Sequence, residues 1–269
     1  MATQIVQAVD RALRILHVLA ASDTLLPLSS VAQQVDIPSS TTHRLLASLR
    51  EQGFVRYDAE TRNYGIGLAV LPLAKAARAH TTIYHEAEPL LQELAAATHE
   101  TATLVLLNGH AGTYALMAKP ERSMTLTVAM GEVVPMHATA SGKAMLAHFF
   151  ETELERFLNR TLEAFTTNTI TNPLRLKEEL AQIRSQGYAV DNEEREIGMR
   201  CIGSPVFDHL GNIVAAIGIS GPSSRITTDP GGHLVHHTVA TARALGARLG
   251  YSNGNLSAVD GSRAHRRLR

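Results

Sequence analysis

The sequence is poor in features that mark several classes of protein. Cys201 is the only cysteine among 269 residues, so no disulfide can form within the chain. This scarcity is typical of a reducing compartment, and we expect a cytoplasmic protein. No apolar run approaches the ~20 residues of a membrane span. The N-terminus has Asp10 and Arg11 early and lacks the apolar block of a signal peptide, so we expect no membrane partner.

Neither sign of charge is in excess. Lys plus Arg and Asp plus Glu each number 25, and the pI is about 7.3. Net charge therefore gives no indication of nucleic-acid binding, and any contact with DNA has to come from a local basic patch. The apolar fraction, 45%, is ordinary and is sufficient for a real core.

Residues 5–67 follow the pattern helix, short helix, helix, hairpin. Apolar residues recur at helical spacing over 5–21, and a second short helix is expected with Ser29 as its N-cap and Pro38 as its stop. A third helix follows, with Leu45, Leu46, Leu49 and Thr42 on its buried face. Two alternating strands around a polar turn, "FVRYD" and "NYGIG", then complete a winged helix-turn-helix.

The third helix begins with small hydroxylated residues, which let a backbone approach phosphates and base edges closely. Arg44 adds a charged fork that suits guanine or phosphate, and two arginines lie on the hairpin. We therefore predict a DNA-binding surface made of Ser39, Ser40, Thr41, His43, Arg44, Arg56 and Arg62. The alternative interpretation is a helical bundle, or a winged domain that contacts protein.

Beyond residue 68 the pattern predicts two Ala- and Leu-rich helices with a break near His80 to Thr82, and from Thr101 a different kind of domain. Strands are predicted at "TATLVLLN", "TYALMAKP", "TLTVAM", "YAVDNEE", "RCIGSPVFD" and "NIVAAIGIS", with helices between them and a closing helix near 229–249. This order predicts an antiparallel sheet with helices packed against it, and the whole chain is an α+β protein.

Several residues here allow other chemistry. Cys201, His137 and Asp191 are the residue types of a thiol hydrolase, which makes a cysteine-dependent small-molecule hydrolase the alternative function. A cysteine within a strand is more often a core residue than a nucleophile. The motif "HLVHH" lacks cysteine or carboxylate partners, so we expect neither a metal site nor a cofactor. "EEREIG" is interpreted as a solvated turn in which Glu194 and Arg195 pair weakly.

Several long motifs resemble the signature segments of the IclR family of bacterial transcriptional regulators. These are "QAVDRALRILHVLA", "STTHRLLASLREQGFV", "VPMHATASGKAMLAHF" and "GYAVDNEEREIGMRCIGSPVFDHLGNIVAAIGISGPSSRIT". The resemblance covers about residues 4–250. It implies a winged helix-turn-helix at 4–67, a linker helix at 68–81 and a GAF-like effector-binding and oligomerisation domain at 82–250. It also implies homodimers or homotetramers on palindromic double-stranded DNA operators. The polar, Gly/Ser-rich composition of residues 251–269 separately predicts a disordered tail.

The resemblance further implies an effector site formed by Ala140, Ser141, Asp191, Cys201, Gly218 and Ser220. The helix start "TASGKAML" offers backbone N–H groups to a carboxylate. Asp191 is unfavourable beside an anion unless it accepts from a donor group on the ligand or carries a proton. We therefore expect a small organic or aromatic carboxylate with a donor at its other end. Because Gly218 has no side chain, we favour a ligand larger than a two-carbon acid.

Overall fold

The computed structural model describes residues 6–79, 82–120 and 129–252. The chain divides into two compact units, Met1–Thr81 and Thr82–Arg269. The predicted tail from residue 253 onward, the part of "TLTVAM" before Ala129 and the predicted break at His80 and Thr81 all lie outside the described residues.

The first unit contains four helices and a small three-stranded sheet within its described residues. Its elements in chain order are α1 Gln7–Ala20, β1 Leu26–Pro27, α2 Leu28–Val35, α3 Ser39–Glu51, β2 Val55–Asp58, β3 Asn63–Ile66 and α4 Val70–Ala79. The sheet order is β1-β3-β2, with both pairs antiparallel. Its core includes Ile15, Leu19, Val31, Leu46 and Val55, contributed by α1, α2, α3 and β2.

One predicted detail of this unit is wrong: Pro27, rather than Ser29, is the N-cap of α2. The reason is the unpredicted strand β1, in which Leu26 pairs with Tyr64 and Pro27 with Asn63. This pairing keeps the chain extended as far as Pro27, so the helix begins at the next residue. Gly53, at φ +74°, adopts the left-handed conformation that follows the end of α3 and favours glycine.

The second unit has a six-stranded sheet with helices on both faces. Its elements are α5 Thr82–Thr98, β4 Thr101–Asn108, β5 Ala111–Ala118, β6 Val133–Val134, α6 Ala140–Leu146, α7 Glu151–Leu158, α8 Pro173–Gln186, β7 Ala189–Asn192, β8 Met199–Phe207, β9 Ile213–Pro222 and α9 His233–Arg248. The strand order is β6-β5-β4-β9-β8-β7, and every neighbouring pair is antiparallel.

Two hydrophobic clusters lie on opposite faces of this sheet. On one face α5 and α9 pack over residues such as Leu104, Ile202 and Ile217. On the other face α6 and α8 pack over Val105 and Ala216. Because successive side chains of a strand point to opposite faces, β4 and β9 supply both clusters. The second face also carries the cavity described below. The predicted α+β fold, with an antiparallel sheet flanked by helices, is confirmed.

Candidate functional site

The N-terminal half of α3 presents a polar, exposed surface. Ser39, Ser40, His43 and Arg44 are exposed, and Thr41 is half-buried. Thr42, in contrast, is fully buried and donates its hydroxyl to the carbonyls of Ile37 (3.3 Å) and Pro38 (3.2 Å), while Leu46 enters the core. The buried residues therefore fix the helix, and the residues predicted to contact DNA point outward.

The hairpin β2–β3 adds two exposed arginines, Arg56 on β2 and Arg62 in the turn. Asp58 closes this turn by accepting hydrogen bonds from the Glu60 N–H (3.0 Å) and the Thr61 hydroxyl (2.8 Å). Both hydrogen bonds lower the pKa of the Asp58 carboxyl, and the bond from Thr61 has the larger effect. The order of elements is helix, turn, exposed helix and basic hairpin, which is a winged helix-turn-helix.

The second unit contains a cavity of about 420 Å³ between α6 and its sheet. The six residues predicted for the effector site, which come from α6, β7, β8 and β9, all line it: Ala140, Ser141, Asp191, Cys201, Gly218 and Ser220. The strand register brings three of these residues side by side, because Asp191 pairs with Cys201 and Cys201 pairs with Ser220. Directly opposed residues of antiparallel strands project to the same face of a sheet.

The start of α6 lies directly on the sheet. Thr139 caps the helix by accepting from the Gly142 N–H (3.1 Å). A Cβ at Gly203 would lie only 2.7 Å from the Ser141 backbone nitrogen, so this glycine permits contact between the two backbones. A Cβ at Gly218 would lie 2.7 Å from the Ser141 hydroxyl oxygen. The space that Gly218 leaves is thus taken by Ser141 rather than left open, contrary to the reasoning from the sequence.

Tyr114 also lines this cavity, although no motif in the sequence pointed to it. The register between β4 and β5 shifts so that Leu104 pairs with Leu116 but Val105 pairs with Tyr114, which leaves Ala115 as an extra residue. Such a β-bulge turns the following side chains to the opposite face. Burial raises the pKa of the Tyr114 hydroxyl, with smaller contributions from negative neighbours, so that it stays a hydrogen-bond donor.

Asp191 combines burial with hydrogen bonding. Its Oδ1 accepts from the N–H groups of Glu194 (2.7 Å) and Arg195 (3.3 Å), and the residue is 2% exposed. Burial raises the pKa of the Asp191 carboxyl to about 6, whereas the two backbone hydrogen bonds oppose this rise. The Asp191 carboxyl is therefore mostly ionised at neutral pH and gains its proton in weakly acidic solution, at a higher pH than an exposed aspartate.

The loop from Glu193 to Gly198 forms one wall of the cavity, through Arg195 and Glu196. Arg195 to Gly198 are exposed, as predicted for a solvated turn, but the predicted Glu194–Arg195 pair is wrong because Glu194 pairs with Lys143. Glu194 is 5% exposed, and its Oε1 lies 2.5 Å from Nζ of Lys143, which is fully buried within α6. Lys143 also contacts Glu179 at 3.2 Å. The motif lacks a local signal for this pair because the partners are 51 residues apart.

Further contacts fix the same loop. The Thr166 hydroxyl donates to the Glu193 carbonyl (2.7 Å), and the Thr169 hydroxyl donates to the Glu194 carbonyl (2.6 Å). The guanidinium carbon of Arg195 lies 4.3 Å from the centre of the Phe165 ring, within the range of a cation–π contact. The loop therefore holds Arg195 in a defined place at the exposed side of the cavity.

The three residues predicted for a thiol hydrolase do not come together at one site. Cys201 and Asp191 line the cavity, but His137 faces a separate groove, where its Nε2 lies 2.9 Å from the Glu163 carbonyl oxygen. Burial raises the pKa of the Cys201 thiol strongly, and Asp191 adds to that rise. A reactive cysteine needs the opposite shift, because the thiolate is the nucleophile.

The remaining expectations concern metals and membranes. His233 and His237 lie one turn apart on α9, with their rings tilted by 57° and their ring centres 4.3 Å apart. Among the described residues, no group of three or more histidine, cysteine or acidic side chains is arranged to hold a metal ion. Within the same ranges no helix is long and apolar enough to cross a membrane.

Comparison with known families adds to this geometry. Residues 8–59 match the family model described as "IclR helix-turn-helix domain". Residues 75–247 match the model described as "Bacterial transcriptional regulator IclR C-terminal". The two matches follow each other in the order of the two units.

Relatives and solved structures agree with these matches. The chain is 40% identical over 223 residues to the HTH-type transcriptional regulator BhcR of Paracoccus denitrificans, covering 82% of this chain and 80% of that protein. It is 36% identical to the transcriptional repressor IclR of Escherichia coli, covering 85% and 84%. A crystal structure of an IclR regulator from a Silicibacter species has a TM-score of 0.84 at 28% identity, covering 91% and 97%. An IclR homologue from Microbacterium hydrocarbonoxydans, solved with 4-hydroxybenzoate, has a TM-score of 0.77 at 20% identity, covering 90% and 99%.

Proposed function

Because the chain belongs to the IclR family of bacterial transcriptional regulators, we propose that it binds a palindromic operator as a homodimer or homotetramer and senses a small carboxylate. It is a DNA-binding regulator with an effector-binding domain, not an enzyme, which removes the hydrolase alternative. We propose the same domain boundaries that the sequence predicts. We also place the protein in the cytoplasm, where its DNA target would be.

The exposed start of α3 is the observation that carries the DNA-binding proposal. Arg44 is exposed there, while Thr42 and Leu46 anchor the opposite side of the helix. In helix-turn-helix proteins the second helix of the motif enters the major groove, where arginine recognises guanine. We assign Ser39, Ser40, Thr41, His43 and Arg44 to that groove, and Arg56 and Arg62 to flanking phosphates.

Assembly into a dimer is supported by a second apolar stripe on α1. Val6, Val9 and Leu13 are 65%, 56% and 52% exposed, whereas Ile15 and Leu19 on the other side enter the core. An exposed apolar stripe at helical spacing is typical of an interface. A two-fold dimer would present two copies of α3 to half-sites about one helical turn apart, or a multiple of that.

The effector proposal depends on the cavity. At about 420 Å³ it lies within the ~300–1,000 Å³ of known ligand pockets. It has room for more than a two-carbon acid, and the 4-hydroxybenzoate bound by the Microbacterium homologue supports an aromatic or organic carboxylate. Ala140, Ser141, Asp191, Cys201, Gly218 and Ser220 would surround it. Effector binding would change the packing of the second unit, and thereby the spacing or angle of the two winged domains.

A gel-shift titration on DNA from upstream of the protein's own gene tests the proposal. Arg44→Ala should weaken operator binding about 5- to 150-fold, from the ~1–3 kcal/mol of a bidentate arginine–base contact. Effector affinity should not change. The matched control is Arg175→Ala, because Arg175 is also exposed but lies on α8. Equal loss of DNA and effector binding in Arg44→Ala would make Arg44 a folding residue and refute its assignment.

A further inference from the structure

A buried ion pair lies behind the wall of the cavity and connects two parts of that wall. Lys143 belongs to α6, shortly after Ser141, and its side chain is fully buried. Its Nζ lies 2.5 Å from Oε1 of Glu194, which is 5% exposed. Neither Lys143 nor Glu194 lines the cavity, although Ser141 and the neighbouring Arg195 do. The pair therefore joins α6 to the loop of residues 193–198 from outside the cavity.

Glu194 also holds a cavity residue through its backbone. Its N–H donates to Oδ1 of Asp191 at 2.7 Å, and the N–H of Arg195 donates to the same oxygen at 3.3 Å. Its Oε1 lies 3.5 Å from the backbone nitrogen of Asn192, the residue after Asp191. The side chain of Glu194 is thus fixed to α6, while its backbone fixes the Asp191 carboxyl. Movement of the Glu194 side chain would therefore shift one wall of the cavity.

Stability alone does not account for this pair. Burying two opposite charges removes their hydration, and apolar residues of similar volume often give an equally stable or more stable fold. One carboxylate oxygen of Glu194, Oε2, is buried and has no hydrogen-bond partner among the described residues, which adds a further cost. Hydrogen-bonded charges do, however, restrict the separation and direction of their partners, as is needed of residues that support a binding site.

We propose that Lys143 and Glu194 are positioning residues of the effector site. Their ion pair holds the start of α6 at a fixed distance from Asp191 and thereby sets the width of the cavity around the effector. This inference rests on the proposed function, and it adds two residues that the effector itself does not touch. Removal of both charges should consequently weaken effector binding even in a protein that is fully folded.

The test uses the full-length protein with Lys143→Met and Glu194→Met combined. Methionine has nearly the length of both side chains, so the double variant lacks the ion pair but leaves neither of its two charges buried alone. The side chain of Glu179, the second partner of Lys143, is 32% exposed and stays hydrated. The urea midpoint of the double variant should equal or exceed that of wild type, whereas Lys143→Met alone should lower it.

Isothermal titration with glyoxylate, benzoate and 4-hydroxybenzoate measures effector binding. The acid that binds wild type most tightly should bind the double variant about 10-fold more weakly, which is the lower end of the effect that residues behind a metal site have on its affinity. The matched control combines Lys177→Met with Glu151→Met. It removes an exposed ion pair with the same 2.5 Å separation outside the cavity, and it should bind the acid like wild type.

Amide hydrogen exchange followed by NMR distinguishes positioning from a general effect on folding. The N–H groups of Glu194 and Arg195, which donate to Asp191, should exchange about 10-fold faster in the double variant. The N–H of Ile217, a fully buried residue of β9, should keep the exchange rate of wild type. A pair that served only overall stability would change the exchange of all these groups together or of none.

Unchanged acid affinity in the folded double variant, or unchanged exchange at Glu194 and Arg195, would overturn the positioning role. So would an equal loss of affinity in the Lys177 and Glu151 control. A double variant with as low a urea midpoint as Lys143→Met would assign the pair to folding and overturn the role too. The same holds for a wild type that binds operator DNA but none of the three acids. A wild type that binds an acid but no operator DNA would refute the proposed regulator function alone, because the titrations still decide the role of the pair.

Discussion

Replacement of Asp191 by asparagine should stabilise the protein, although it removes a residue of the candidate site. In the native state the pKa of the Asp191 carboxyl is raised from 3.8 to about 6 because the group is buried. At about 1.4 kcal/mol per pKa unit, keeping this carboxylate ionised costs about 3 kcal/mol of stability. An amide oxygen still accepts from the Glu194 and Arg195 N–H groups but less strongly, at a loss of roughly 1 kcal/mol. The net gain is about 2 kcal/mol.

The sign of the pH dependence follows from the direction of the shift. Because the folded protein binds this proton more tightly than the unfolded chain, stability falls as pH rises from about 4 to about 6, and the cost is complete above that range. The amide introduced by Asp191→Asn does not titrate. The advantage of this variant should therefore be about 2 kcal/mol near pH 7.5 and shrink to roughly 0.5 kcal/mol near pH 5.

Urea denaturation followed by circular dichroism at both pH values measures this difference, since the other titrating groups cancel between variant and wild type. Asp208→Asn is the matched control. Asp208 also accepts from following backbone N–H groups, of Leu210 and Asn212 at 2.9 Å, but it is only partly buried and should give no such gain. An equal advantage at both pH values, or an Asp191→Asn variant less stable than wild type at the higher pH, would refute the reasoning. A gain would indicate that the carboxylate is retained for binding at a cost in stability.

Three further predictions concern the second unit. Lys143→Met should destabilise the protein by about 3–5 kcal/mol in urea, because it leaves Glu194 buried without its cation, whereas Lys177→Met at an exposed pair should cost less than about 1 kcal/mol. Asn172→Ala should lower stability by about 1 kcal/mol, because the Asn172 oxygen caps α8; thermal melting that is unchanged would contradict this. Burial lowers the pKa of His148 to about 4, so stability should be lost as pH falls from about 6.5 towards 4, and His148→Phe should reduce that loss in melts across the range.

Local patterns predicted most elements of this fold. The helical spacing of Leu46 and the buried position of Thr42 on α3 follow from a period of 3.6 residues. The alternating strands, and the end of α8 at Gly187, could also be predicted from the sequence. These features depend on neighbours in the sequence, so one short window contains the information. The gathering of Asp191, Cys201 and Ser220 at one cavity was expected from family motifs, whereas their role in binding stays a prediction.

The rest depends on contacts between distant parts of the chain. The strand β1 exists because Leu26 pairs with Tyr64, and this moved the start of α2 away from Ser29. The sequence marks Lys143 only as a polar residue near the start of a helix. Its partner Glu194 is 51 residues away in the chain, so no local pattern indicates the pair. Tyr114 belongs to the cavity only because of the register shift opposite Val105. No pattern within a single segment contains such information.

The extra residue in β5 also bears on how such a cavity changes during evolution. Removing Ala115 would keep Tyr114 opposite Val105, so Tyr114 would still face the cavity. Closing the bulge without a deletion would instead place Ala115 opposite Val105 and Tyr114 opposite Leu106, on the α5 and α9 side. This wall of the cavity therefore tolerates a deletion of three nucleotides at Ala115. Homologues with the same architecture can in this way differ in the length of β5 and keep the same tyrosine in the wall of the cavity.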